Sequence, residues 1–155
     1  MIATLAVAGC GAGGSLAVRT GHVVRVLDGD TIVVDGLGTV RYLGIDTPEL
    51  HHPRKPVQRF AARAADANRR MVAGRVVRLE TDREERDAYG RLLAYVWVGP
   101  TMVNARLVAL GMAEQFPFAP NTRHRNLFAQ LERHARAAHR GQWGPAEGGP
   151  PWGVP

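Results

Sequence analysis

The chain has 155 residues, with 20 Lys and Arg against 14 Asp and Glu, giving a formal charge of +6. That length holds one ordinary domain and excludes two, and the positive balance fits a polyanionic partner as well as it serves plain solubility. Cys10 is the only cysteine and none of the six His stands at a metalloprotease spacing, so an internal disulfide and a thiolate metal cage are excluded and any metal must be held mainly by oxygen.

The amino end opens with an apolar run over residues 2–9, too short to span a bilayer. It has the texture of the end of a signal peptide without the basic n-region. Val7-Ala8-Gly9-Cys10 resembles a bacterial lipobox, in which the cysteine becomes the lipid-modified first residue. The competing reading is an apolar leader with no bearing on targeting. The expectation is an exported protein, secreted or anchored to a membrane through a lipidated Cys10. Residues 1–21 would then be leader and Gly-rich tether.

From His22 the texture changes. His22 to Leu27 is rich in β-branched residues and predicts a strand, broken by Asp28-Gly29-Asp30. Thr31 to Val34 predicts a second strand and Thr39 to Leu43 a third, with Asp35-Gly36 as the hairpin signal between them. Asp46-Thr47-Pro48 stops the sheet. A helix is expected over residues 56–72, with Val57, Phe60, Ala61, Ala64, Ala67 and Met71 on one buried face and Arg59, Arg63, Asp66 and Arg70 on the other. Pro56 suits its first turn and Gly74 its C-terminal stop. Arg75 to Glu80 and Arg91 to Val98 read as two further strands. Asn104 to Leu110 reads as a short helix closed by Gly111. Thr122 to Arg140 reads as a longer one, burying Leu127, Phe128, Leu131, Ala135 and Ala138 and stopped by Gly141. The Gly- and Pro-rich residues 144–155 predict a disordered tail. The order β-β-β-α-β-β-α-α predicts an α+β, mainly β-barrel domain over residues 22–143: an OB-fold, a five-stranded barrel with three helices.

Several polar residues sit where chemistry is possible. Asp30 and Asp46 are delivered by strand ends and suit a hard cation such as Ca²⁺, with Mg²⁺ or Mn²⁺ as alternatives. Each also stands in an ordinary turn-forming sequence. Arg41 interrupts an apolar strand, where it either clamps a phosphate or faces solvent from an edge. Arg91 follows Tyr89-Gly90 and either binds phosphate or pairs with the acidic Asp82 to Asp87 stretch. Glu49 follows Pro48, whose fixed φ holds it off the strand end; beside a metal it could take a proton from attacking water, and elsewhere it is only a solvated carboxylate.

Together these stretches resemble the staphylococcal nuclease family. The matching segments are Asp28-Gly29-Asp30-Thr31, the run from Arg41 through Asp46-Thr47-Pro48-Glu49, and Asp87-Ala88-Tyr89-Gly90-Arg91. They are followed in order by Leu93-Ala94-Tyr95, Met102-Val103-Asn104, Leu110-Gly111 and Gly141-Gln142-Trp143. The resemblance implies an OB-type barrel and a calcium-dependent endonuclease acting on DNA or RNA and leaving 3′-phosphate ends. It implies Asp30, Asp46 and the Thr47 carbonyl as Ca²⁺ ligands, Glu49 as general base, and Arg41 and Arg91 as phosphate-binding catalytic residues. Tyr89 would line the nucleotide pocket. The loop His51-His52-Pro53-Arg54-Lys55 would contact phosphates, Lys55 among its cations. Phe116 and Phe118 stand where the family has tyrosines; they can stack on bases but offer no hydroxyl. The alternative is a non-catalytic nucleic-acid-binding OB-fold module. A monomer is the expected default.

Overall fold

The computed structural model describes residues 17–50 and 58–145. In chain order the elements are β1 (Val18–Asp28), β2 (Thr31–Val34), β3 (Gly38–Tyr42), β4 (Ile45–Asp46), α1 (Ala61–Val72), β5 (Val76–Glu80), β6 (Leu92–Val98), β7 (Thr101–Met102), α2 (Val103–Ala109), β8 (Glu114–Gln115) and α3 (Arg125–Ala137), followed by a 3₁₀ turn at Gly141–Trp143. Strands β3-β2-β1-β5-β6 pair in that order, and a parallel pairing of β3 with β6 closes them into a five-stranded barrel. The α+β, OB-type barrel with three helices expected from the sequence is what the chain forms.

The barrel closes because its inward residues are large and apolar. Ile32, Val40, Tyr42, Leu79, Leu92 and Val96 are all 2% exposed or less. Each fully buried aliphatic side chain of this size contributes about 1.5–3 kcal/mol. The closing register sets Arg41 level with Leu93. That brings the end of β3 beside the residues that lead into β6, which matters for the site.

Three boundaries differ from the sequence expectation. β1 starts at Val18, not His22, because Val18 to His22 pair antiparallel with Val76 to Glu80. Only residues 1–16 of the expected leader and tether, Cys10 included, lie outside the described residues. α1 starts at Ala61, after Phe60 takes a left-handed φ of 69°. Pro56, Val57 and the Lys55 loop lie outside the described residues, as do residues 146–155 of the expected tail. α3 is shorter than expected and packs through a narrower stripe. Phe128 and Ala135 are buried and Leu131 partly so, but Leu127 is 39% exposed and Ala138 is also exposed. The helix rests mainly on α2 and β8, which cover only one row of its side chains.

Gly141 does not stop α3: the helix ends at Ala137 and closes on His139, at a left-handed φ of 51°, whose N–H donates to the Arg136 carbonyl while the Arg140 N–H donates to the Ala135 carbonyl. Elsewhere the local signals hold. α1 buries Ala61, Ala64, Ala67 and Val72 and exposes Arg63, Asp66 and Arg70; Arg59 is exposed just before the helix, and Phe60 and Met71, expected on the buried face, are only partly buried. The end of α2 is a Schellman turn, in which the Gly111 N–H donates to Val108 and the Met112 N–H to Leu107. Gly111, at φ 69°, lies against Gly141, at φ 54°, and the Gln142 N–H donates to the Gly111 carbonyl at 3.0 Å. A Cβ on Gly111 would meet the Arg140 carbonyl oxygen at 2.2 Å, and one on Gly141 the Gly111 carbonyl oxygen at 2.3 Å. Only two glycines allow this backbone-on-backbone contact, which docks the carboxyl end onto α2. Trp143 then lies under the Arg136 guanidinium, 3.6 Å from the ring centroid.

Candidate active site

Asp30 leaves the turn between β1 and β2 with only 6% of its surface exposed. Its Oδ1 accepts from the Thr31 hydroxyl, and its Oδ2 accepts from both the N–H and the hydroxyl of Thr47, each at 2.9 Å. Gly29 permits this turn to press on Thr47, since a Cβ there would lie 2.7 Å from the Thr47 hydroxyl oxygen. Asp46 follows on β4, with a half-exposed side chain. Arg41 joins the two: its Nη2 lies 2.7 Å from Asp46 Oδ1 and 3.3 Å from Asp30 Oδ2. Its Nη1 donates to the carbonyls of Tyr42 at 2.8 Å and Ile45 at 2.9 Å. Arg41 is thus a nearly buried, fixed guanidinium, not a solvent-facing edge residue.

The acidic groups here feel one another. Burial pushes the Asp46 carboxyl above its ordinary range; Arg41 opposes the shift, and Asp30, Glu49 and Glu114 add to it. Asp28 is also raised, first by burial and then by Asp30 and Glu49, against the bonds it accepts from the Gly29 and Leu50 N–H groups. Asp28 belongs to a sequence motif but was not singled out for a role. Its carbonyl accepts from Asn68 Nδ2 at 2.9 Å, and Asn68 Oδ1 accepts from the Tyr42 hydroxyl at 2.7 Å. Burial pushes that phenol well above its ordinary range.

Arg91 pairs with Asp87 through Nε at 2.7 Å. The acid-paired reading of Arg91 therefore holds, and the same pair aims the residue. Asp87 Oδ1 accepts the backbone N–H groups of Tyr89 and Arg91, both at 3.0 Å, which folds the Tyr89-Gly90 turn around the carboxylate. Burial alone would raise the Asp87 carboxyl, but the bonds and charge of Arg91 outweigh it and hold it below the ordinary range. Among the described residues neither terminal nitrogen of Arg91 takes a hydrogen bond. Its guanidinium lies 5.5 Å from the ring centroid of Tyr89, which is 86% exposed.

Glu49 is anchored by its backbone. Its N–H donates to Gln58 Oε1 at 3.1 Å and its carbonyl accepts from the Gln58 N–H at 3.2 Å. Its carboxylate has no hydrogen-bond partner among the described residues. Arg41, Asp46, Glu49, Asp87, Arg91, Phe116 and Phe118 all line one cleft of ≈ 250 Å³. Phe116 and Phe118 form an exposed apolar wall. Asp30 and Thr47 stand behind this cleft, and Tyr89 reaches it only through Arg91. Lys55 lies outside the described residues.

Three asparagines assigned no role from the sequence hold the frame. Besides Asn68, Asn104 is fully buried; it accepts from the Val96 N–H and donates to the Leu43 carbonyl, both at 2.9 Å. Asn121 clasps Glu84, accepting its N–H at 2.8 Å and donating to its carbonyl at 3.0 Å. This ties the segment after Phe118 to the loop before Arg91. Amides satisfied on both sides are costly to replace when buried.

The donor set suits a hard cation. All candidate ligand atoms near Asp30 and Asp46 are oxygens, and a carboxylate has about four acceptor positions, so both retain free lone pairs. Among the described residues no three His, Cys, Asp or Glu side chains converge tightly enough to enclose a metal by themselves. Two carboxylates with backbone oxygen and water fit a cation that keeps open coordination positions.

The model of a family described as staphylococcal nuclease homologue matches residues 39–145. A thermonuclease of Staphylococcus hyicus is 40% identical over 128 residues, covering 81% of this chain and 76% of that protein. A thermonuclease of Staphylococcus intermedius is 41% identical over 124 residues, covering 78% and 74%. Endonuclease YncB of Bacillus subtilis (strain 168) is 39% identical over 124 residues, covering 77% of this chain and 59% of that protein.

Proposed function

This chain belongs to the staphylococcal nuclease homologue family and is a nuclease of that type, and we propose that it is a calcium-dependent endonuclease of DNA or RNA that leaves 3′-phosphate ends. The observation that supports this reading best is the convergence of Arg41, Glu49 and Arg91 on one cleft, with Asp46 in its wall and Asp30 tied to it through Arg41. Asp30, Asp46 and the Thr47 carbonyl are the proposed Ca²⁺ ligands. When bound there, the cation supplies positive charge against the scissile phosphate.

The chain's own residues do the rest. Attack of water on a phosphodiester builds negative charge on the phosphorus oxygens. Arg91, with both terminal nitrogens free among the described residues, presents a fork to those oxygens, and Asp87 keeps the fork from rotating away. Arg41 adds a second charge fixed before substrate arrives, so little reorganisation accompanies reaction. Among the described residues the Glu49 carboxylate has no competing donor, which supports its reading as the base that takes the proton of the attacking water. Phe116, Phe118 and Tyr89 offer faces on which bases stack, worth about 1–3 kcal/mol each by alanine substitution. Lys55, outside the described residues, is proposed as a further phosphate-binding cation.

The test is cleavage of single-stranded DNA by the purified protein in Ca²⁺ and in excess chelator. Activity is expected in Ca²⁺ alone and return on adding Ca²⁺ back. Full activity in chelator would remove the cation from the mechanism, and binding without cleavage in any divalent metal would make the chain a non-catalytic nucleic-acid-binding module.

Among the described residues no helix is long and apolar enough to cross a membrane. Export is proposed from the apolar run and Cys10 at the amino end. Mass spectrometry of the mature protein is expected to show a processed amino terminus, lipidated on Cys10 if the protein is anchored. An intact Met1 would reject processing.

A further inference from the structure

Strands β4 and β8 set Asp46 directly opposite Glu114. Facing Cβ atoms in an antiparallel pair stand roughly 5 Å apart, and like charges so placed cost stability on their own. Asp46 is offset by Arg41 at 2.7 Å, but among the described residues the Glu114 carboxylate takes no ion pair or hydrogen bond. The two side chains line one recess of ≈ 210 Å³ with Thr47, Pro48, Gln58, Arg59 and Gln142. Among the described residues Asp46 is the one shared by this recess and the candidate catalytic cleft. Arg59, the recess's own cation, has its guanidinium 4.8 Å from the Phe60 ring centroid. Gln142 keeps a buried Nε2 with no partner among the described residues, the kind of group that ordered water satisfies.

A carboxylate set against another in an open recess, with no ion pair of its own among the described residues, is arranged for a cation that both can feel. We propose that Glu114 sets the affinity of the site for its divalent cation. It acts on the ion bound by Asp30 and Asp46 through the water of this recess and is not itself a ligand. The inference rests on the calcium reading given above. One elementary charge at roughly 8 Å from a divalent ion in watery surroundings is worth about fivefold in affinity, an effect that salt screens.

The experiment is calorimetric titration of Ca²⁺ into the full chain at low ionic strength, for the wild type, Glu114→Gln and Asp35→Asn. Asp35 is an exposed carboxylate at the Val34–Gly38 end of the β2–β3 hairpin, away from Arg41. Glu114→Gln is expected to weaken Ca²⁺ binding about fivefold, with the difference shrinking at high salt. Asp35→Asn is expected to leave affinity nearly unchanged. In excess chelator, Glu114→Gln is expected to melt at the wild-type temperature or above it, since a repulsion has been removed. Equal affinities in the wild type and Glu114→Gln, an equal loss in Asp35→Asn, or a lower melting temperature in chelator would each overturn the inference and leave the calcium reading standing. A wild-type chain that takes up no Ca²⁺ would overturn both.

Discussion

Arg91→Ala is expected to lower kcat/KM for single-stranded DNA by about 10²–10³ while leaving the fold intact. The side chain is 35% exposed, and among the described residues its one hydrogen-bonded partner is Asp87. Its loss costs about 1 kcal/mol of stability or less, because the pair is partly solvated and Asp87 keeps the N–H groups of Tyr89 and Arg91. The catalytic loss is larger because the free terminal nitrogens face a cleft where charge builds only during reaction, so the fall should appear in kcat. Arg91→Lys, which keeps the charge and loses the fork, should recover only part of the rate. Asp87→Asn should cost about tenfold or more, since it turns an acceptor away from Nε and frees the guanidinium to swing. A melting temperature near wild type with unchanged kcat in Arg91→Ala would take Arg91 out of the reaction.

Glu49→Gln is expected to reduce kcat by about 10²–10⁴, the usual span for removing a general base. The substitution is isosteric, and the contacts that hold residue 49 in place are backbone bonds to Gln58, which glutamine keeps. Folding and Ca²⁺ affinity should therefore change little compared with the rate. Calorimetry of Ca²⁺ beside single-turnover cleavage separates the two effects. A variant that cleaves at the wild-type rate would leave Glu49 a solvated carboxylate. One that loses rate only in proportion to lost Ca²⁺ would make it part of the cation's surroundings and not a base.

Much of the candidate site was legible because its residues occur in short runs with their own turn chemistry. Asp30, Arg41, Asp46, Glu49 and Arg91 could be named because each stands at a strand end, after a proline, or inside an apolar strand where a charge is conspicuous. Asp87 was legible only as one of an acidic stretch that Arg91 could pair with, and Glu114 was not singled out. Glu114 looks like an ordinary surface acid in sequence and acquires meaning from Asp46, which lies across from it. β4 and β8 are two residues long, too short to carry any periodicity. Leu127 was misplaced because helical spacing says which residues share a face, not how much of that face a neighbour covers.

By itself the sequence determined five barrel strands, three helices and the glycines that end the first two, because these depend on near neighbours: β-branched runs, Asp-Gly turns and helical apolar spacing. It also carried the ordered motifs by which the family is recognised. The tertiary structure decided the closing of the barrel through the parallel β3–β6 pair and the joining of Asp30 to Asp46 by one guanidinium. It also decided the roles of the buried asparagines. These contacts join residues far apart in the chain: Asp30 to Thr47 across 17 positions, Asp28 to Asn68 across 40, and Leu43 to Asn104 across 61. A bond over such a separation leaves no repeating trace in the sequence, because its geometry exists only once the intervening chain has folded.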